Sequence, residues 1–138
     1  MADVSPQQSV YPNLKYADPK AAIRFLVEAF GFTTHFVVEG ADDTVEHAQL
    51  RVGNSLIFLS ADHANDRYGM HSPLALNGSS HALCVWVADD ALDDHQARAE
   101  MAGAAILNRL HNSLAGVREY TCTDPENQVW TFSSYRGE

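Results

Sequence analysis

Seven histidines, at positions 35, 47, 63, 71, 81, 95 and 111, are the first candidates in this chain for acid-base or metal chemistry. Their spacings give no His-x-x-x-His on a predicted helix and no repeated pairing with a carboxylate, so they do not predict a metal cluster by themselves. His47 is the best general base by type, because an unperturbed imidazole titrates near neutrality. Arg118 has the fork to hold a carboxylate or other anion bidentately, and Tyr120 is a candidate acid-base partner for His47. His63, His71 and His111 fall in predicted loops, where solvation is the simpler expectation, and His95 falls on a predicted helix. No Ser-His-Asp spacing, Walker loop or dinucleotide fingerprint occurs, so covalent catalysis and nucleotide binding have no support. Cys84 and Cys122 lie in apolar runs without a CxxC and are expected to be buried free thiols rather than a disulfide.

The bulk numbers narrow the partners. A net charge of −9, from 18 acidic and 9 basic residues, argues against nucleic acid, which needs clustered Lys and Arg. With 138 residues, 46% of them hydrophobic, the chain is long enough for one self-sufficient core. No apolar run reaches the length of a membrane span, and MADVSPQQS at the N-terminus is polar, so the expected location is cytoplasmic.

The elements that must position these side chains occur twice. Tyr16-Ala17-Asp18 resembles Val87-Ala88-Asp89 at an offset of 71, and Asn54-Ser55-Leu56-Ile57-Phe58-Leu59 lines up with Asn127-Gln128-Val129-Trp130-Thr131-Phe132 at an offset of 73. The first helix is well specified, with Asp18 as cap, Pro19 at the first position, Ala22, Phe25, Leu26 and Ala29 on one stripe, and Gly31 as stop. The second is weaker, capped by Asp89 or Asp90, with Leu92, Ala99 and Ala102 apolar before Gly103. Alternating runs at Val10 to Tyr16, Thr34 to Glu39, Thr44 to Val52 and Ser55 to Ser60 predict strands, as do His81 to Val87, Ala104 to Leu110, Val117 to Thr123 and Gln128 to Ser134. Residues 10–60 and 81–135 are therefore expected to be two βαβββ modules of one α+β domain. Residues 1–9 would be extended or disordered, 61–80 a linker or lid, and 136–138 a tail.

Strand alternation separates two faces. Leu14, Tyr16, Ala48, Leu50, Trp130 and Phe132 are expected against the helices. Tyr11, Asn13, His47, Gln49, Phe58 and Thr131 then point the other way. At an offset of 71, Tyr11 and Asn13 are expected to correspond to Ala82 and Cys84; at 73, His47 and Gln49 correspond to Tyr120 and Cys122, with Arg118 two residues before Tyr120. Apolar walls with a few convergent polar groups suit a small organic ligand.

The tandem βαβββ pattern, the helix entries Tyr16-Ala17-Asp18-Pro19 and Val87-Ala88-Asp89-Asp90, the exit Ala102-Gly103-Ala104, the run Gly116-Val117-Arg118-Glu119-Tyr120 and the hairpin from Asp124 to Phe132 resemble the vicinal oxygen chelate superfamily of glyoxalases, extradiol dioxygenases and bleomycin-resistance proteins. The resemblance implies a cupped mixed sheet with outer helices, a homodimer, and a cup holding a metal or a small molecule. It also implies metal ligands on the first and last strands of each module. Those positions hold Tyr11, Phe58, Ala82 and Thr131, none of them a His, Asp, Glu or Cys. The expectation is thus a member that binds an antibiotic or metabolite with no cofactor and no chelated metal. The alternatives are a glyoxalase- or dioxygenase-type enzyme with a divalent metal displaced onto His47 and His81, joined by Glu119 or Glu46, and metal-independent catalysis by His47 and Tyr120. His81 lies one residue from a ligand position, so its facing matters.

Overall fold

A computed structural model describes residues 8–114 and 116–138. Residues 1–7, most of the segment expected to be extended or disordered, lie outside the described residues. The first module runs β1 (Asn13–Tyr16), α1 (Pro19–Phe30), β2 (Thr33–Glu39), β3 (Val45–Val52) and β4 (Ser55–Ala61). After the short helical turn α2 (Pro73–Leu76), the second runs β5 (Ala82–Trp86), α3 (Leu92–Ala102), β6 (Ala105–Asn112), β7 (Arg118–Thr123) and β8 (Val129–Ser133). Each module makes its own mixed four-stranded sheet, ordered β1-β4-β3-β2 and β5-β8-β7-β6. In both, the first strand pairs parallel to the last while the others are antiparallel. This is the tandem βαβββ arrangement that the repeat predicts.

Helix α1 forms as its sequence dictates. The Asp18 carboxylate accepts from the Ala21 N–H, Pro19 occupies the first turn, and the stripe Ala22, Phe25, Leu26, Ala29 and Phe30 is buried. Gly31 ends it at φ 75°, and a Cβ there would stand 3.1 Å from the Arg98 guanidinium, which donates to the last carbonyls of α1 at Val27 and Glu28. Helix α3 departs from expectation at its start. Neither Asp89 nor Asp90 caps it; a 3-10 turn over Asp89–Ala91 leads in, and the Asp89 carboxylate accepts from Arg118 instead. Only Leu92 and Ala99 of this thin helix are buried.

The helix-covered sides of both sheets meet in one core. Phe30 and Phe32 from the first module lie against Trp130 of the second, with ring centroids 5.5 Å apart in each case, and Phe30 is 4.7 Å from Phe132. The hairpin turn between β7 and β8 fastens this joint. Asp124, almost wholly buried, accepts from the Tyr16 hydroxyl at 2.6 Å, the Trp130 indole at 3.1 Å and the backbone N–H groups of Glu126 and Gln128. Glu126 reaches back to accept from the N–H groups of Ala17 and Asp18, where α1 begins. This turn is therefore the latch between the modules.

The connection between modules is also tied down. Asp66 accepts from the N–H groups of Tyr68 and Met70 and pairs with Lys15 at 2.9 Å, which holds its carboxyl well below the usual carboxylate range. Asp62 accepts from the His71 ring and the Ser72 N–H, both at 2.7 Å. His63 pairs with Glu46 at 3.0 Å. His63 and His71 thus carry carboxylate partners rather than being merely solvated, and His111 lies in strand β6 rather than in a loop.

Candidate functional site

The register shows where each candidate side chain stands. In the first sheet Asn13, Phe58, Gln49 and Phe36 are neighbours in one row across the strands; in the second the matching row is Cys84, Thr131, Thr121 and Asn108. The offsets between the rows are 71 for β1 and β5, 72 for β3 and β7, and 73 for β4 and β8. The last increment arises in the hairpins. Gly53-Asn54 is a two-residue turn between Val52 and Ser55, whereas Pro125-Glu126-Asn127 is a three-residue turn between Asp124 and Gln128, closed by the Asp124 N–H donating to the Gln128 carbonyl at 3.1 Å.

That one residue corrects part of the expected site. His47 and Gln49 correspond to Glu119 and Thr121, not to Tyr120 and Cys122, because a one-residue slip on a strand exchanges its faces. Tyr120 and Cys122 are wholly buried on the helix side, where burial pushes the Cys122 thiol up to about 12 and the Tyr120 phenol well above its ordinary value. Arg118 shares their face and binds Asp89 and Asp93 at the start of α3, so it holds no anion on the open face. Cys84 is exposed rather than buried, because its face carries no helix. His81 precedes β5 on the other side of the alternation and is tied locally to Ser79 and Ser80.

The remaining candidates form two sets. On the first sheet Tyr11 stacks on Phe58 at 4.9 Å, His47 meets the Phe58 ring edge-on at 5.4 Å, Gln49 and His47 approach at 3.4 Å, and Ser60 donates to Asn13. On the second, the hydroxyls of Thr121 and Thr131 are 2.8 Å apart beside Cys84. Among the described residues no hydrogen bond or ring contact joins one set to the other. Both faces are open, and Phe36, Val38, Trp86 and Leu107 are exposed there or at the strand edges.

A chelated metal fits these positions poorly. A phenol, a benzyl ring, a methyl and an alcohol stand at Tyr11, Phe58, Ala82 and Thr131, and among the described residues no three His, Cys, Asp or Glu side chains come together as a metal set. His47, His81 and Glu119 do not converge in one chain.

Sequence reasoning missed His95. Its Nδ1 lies 2.5 Å from the Tyr120 hydroxyl, and its ring faces Phe30 and Phe132. Burial, with the Arg98 guanidinium nearby, lowers its pKa to about 4. An imidazole with a lowered folded pKa refuses a proton that the unfolded chain accepts, so its contribution to stability falls as pH drops from about 6.5 towards 4. Because the ring is only part-buried, the expected loss is about 1–2 kcal/mol, most of it above the range where carboxylates titrate. Urea unfolding at pH 7 and pH 5 checks this: the loss should shrink in His95→Gln, and an equal loss in both proteins would refute it.

The sequence profile of the Glyoxalase/Bleomycin resistance protein/Dioxygenase superfamily matches residues 10–132. An uncharacterized protein of Mycobacterium tuberculosis is 29% identical over 129 residues, covering 93% of this chain and 75% of that protein. Among solved structures, TioX from Micromonospora sp. ML1 aligns with a TM-score of 0.71 at 27% identity, covering 95% of this chain and 98% of that one. A point mutant of the fosfomycin resistance protein FosX from Listeria monocytogenes, in its complex with Mn(II) and 1S,2S-dihydroxypropylphosphonic acid, shares the fold with a TM-score of 0.66 at 11% identity, covering 94% and 91% of the two chains. With a match spanning both modules and two four-stranded mixed sheets in the same order, this chain belongs to the glyoxalase/bleomycin resistance protein/dioxygenase superfamily.

Proposed function

We infer that this protein is a cytoplasmic homodimer that binds a small organic molecule, an antibiotic or metabolite, against its open sheet faces without a chelated metal. The observation that carries this reading is the cluster of Tyr11, His47, Gln49 and Phe58 on the first sheet: two stacked rings flanked by an imidazole and an amide, with no carboxylate among them. Such a surface offers stacking area and a few directed hydrogen bonds. The exposed Phe36 and Val38 support the dimer, since apolar side chains on a helix-free sheet face are usually covered by a partner. His47 remains the best general base should the bound molecule react.

The test combines metal analysis with ligand screening. Protein purified without chelator should contain far less than one equivalent of nickel, zinc, iron or manganese. In a thermal-shift screen of antibiotics and aromatic metabolites, a compound that stabilises the protein should lose at least about tenfold in affinity in Tyr11→Ala and Phe58→Ala. Stoichiometric metal that disappears in His47→Ala or Glu119→Ala would overturn the metal-free reading and favour a metal-dependent enzyme.

A further inference from the structure

The internal duplication produces two corresponding clefts with different fates. One, of about 270 Å³, is lined by Lys15, His81 and Gln128 and is roofed by the connection between modules from Gly69 to Ser80. The other, of about 740 Å³, is lined at the corresponding positions by Trp86, Val10 and Ser55, beside the Gly53-Asn54 turn. Lys15 is locked onto Asp66, earlier in the same connection, but its counterpart Trp86 is 53% exposed. The segment after β8 contributes only Arg136 to the larger cleft.

The walls of the open cleft are specific in character. Val10, Leu56, Leu83 and Val85 make them apolar. The backbone of Leu56, which would otherwise present a bare N–H and carbonyl there, is satisfied on both sides by the Gln8 amide, at 2.7 and 2.9 Å. Arg136 is the single cation lining the cleft among the described residues, and no carboxylate pairs with it despite the net charge of −9. Its guanidinium stands 5.5 Å over the Trp86 ring, which holds the charge at the cleft while leaving its N–H donors free.

We propose that this cleft is a second binding site, distinct from the Tyr11–Phe58 face, for a flat aromatic carboxylate. Its ring lies along Trp86 and the apolar wall, and its carboxylate pairs with Arg136. One guanidinium matches one singly charged group, whereas a phosphate dianion would bring excess charge against apolar walls with no second cation to meet it. The volume lies within the range of small-molecule pockets.

Titration with 1-naphthoate tests the site, read by calorimetry and by tryptophan fluorescence, since Trp86 is exposed at the cleft and the buried Trp130 lines it too. One equivalent per chain should bind and alter the tryptophan emission. Arg136→Gln and Trp86→Ala, both at exposed positions that should leave folding intact by circular dichroism, should each weaken binding about tenfold or more. The neutral 1-naphthalenemethanol should bind as weakly to the wild type as 1-naphthoate does to Arg136→Gln. His47→Ala and Phe58→Ala should leave the titration unchanged, so failure here is separable from failure of the reading above. No saturable binding, insensitivity to Arg136→Gln, or loss in His47→Ala would overturn the proposal. So would a concentration-dependent shielding of Trp86 from iodide in the absence of probe, which would place a second copy of the chain in the cleft.

Discussion

Asp124→Ala should lower the free energy of unfolding by about 4 kcal/mol, measured by urea denaturation near neutral pH. The carboxylate is 3% exposed and takes four donors, two of them side chains from opposite ends of the joint: the Tyr16 hydroxyl from β1 and the Trp130 indole from β8. Removing it strands each donor in the interior, and a buried donor without a partner costs about 1–3 kcal/mol. Burial raises the Asp124 carboxyl above its ordinary value in spite of these donors, so the charge itself is held at some cost. Asp124→Asn should therefore be much milder, at about 1–2 kcal/mol, because an amide oxygen still accepts from some of them. A double-mutant cycle with Tyr16→Phe should show a coupling of about 1 kcal/mol or more, since one hydrogen bond contains both groups. Additive effects would mean that Asp124 shapes only its own turn and does not latch the modules.

The same turn explains what could and could not be read from the sequence. The elements were legible because each has a local cause: Asp18, Pro19 and Gly31 bracket α1, and period-two alternation marks Val45 to Val52 and Val129 to Ser133. The facing of His47, Gln49, Phe58, Trp130 and Thr131 followed from that alternation. The facing of Arg118, Tyr120 and Cys122 did not, because it was carried over from the first module at an offset of 73 that holds only after the hairpin. Counting turn residues was the available signal: two at Gly53-Asn54 against three at Pro125-Glu126-Asn127. His95 left no such signal. A histidine on a thin helix reads as surface, and only the packing of α3 beside the end of α1 turns it towards Phe30, Phe132 and Tyr120. The latch was equally silent, because Tyr16 and Asp124 are 108 residues apart and nothing local records their meeting.

Phe30→Ala is expected to be about as damaging as Asp124→Ala, at about 3–5 kcal/mol, because a large buried ring leaves a cavity that its neighbours cannot all close. Phe30 lies between Phe25, Phe32, His95, Trp130 and Phe132, so its loss removes the apolar half of the joint that Asp124 fastens on the polar side. Phe36 provides the contrast within the same chain. At 53% exposure on the helix-free face, Phe36→Ala should change the stability of the monomer by less than about 0.5 kcal/mol. If a second copy covers that face, the same substitution should weaken association by about tenfold, which sedimentation over a range of concentrations reads directly. The two substitutions separate the roles of the faces: one aromatic holds the modules together, and the other is available to a partner. Equal effects of both on unfolding would mean that the helix-free face is packed in the isolated chain, and would remove the basis for placing a ligand or a second copy there.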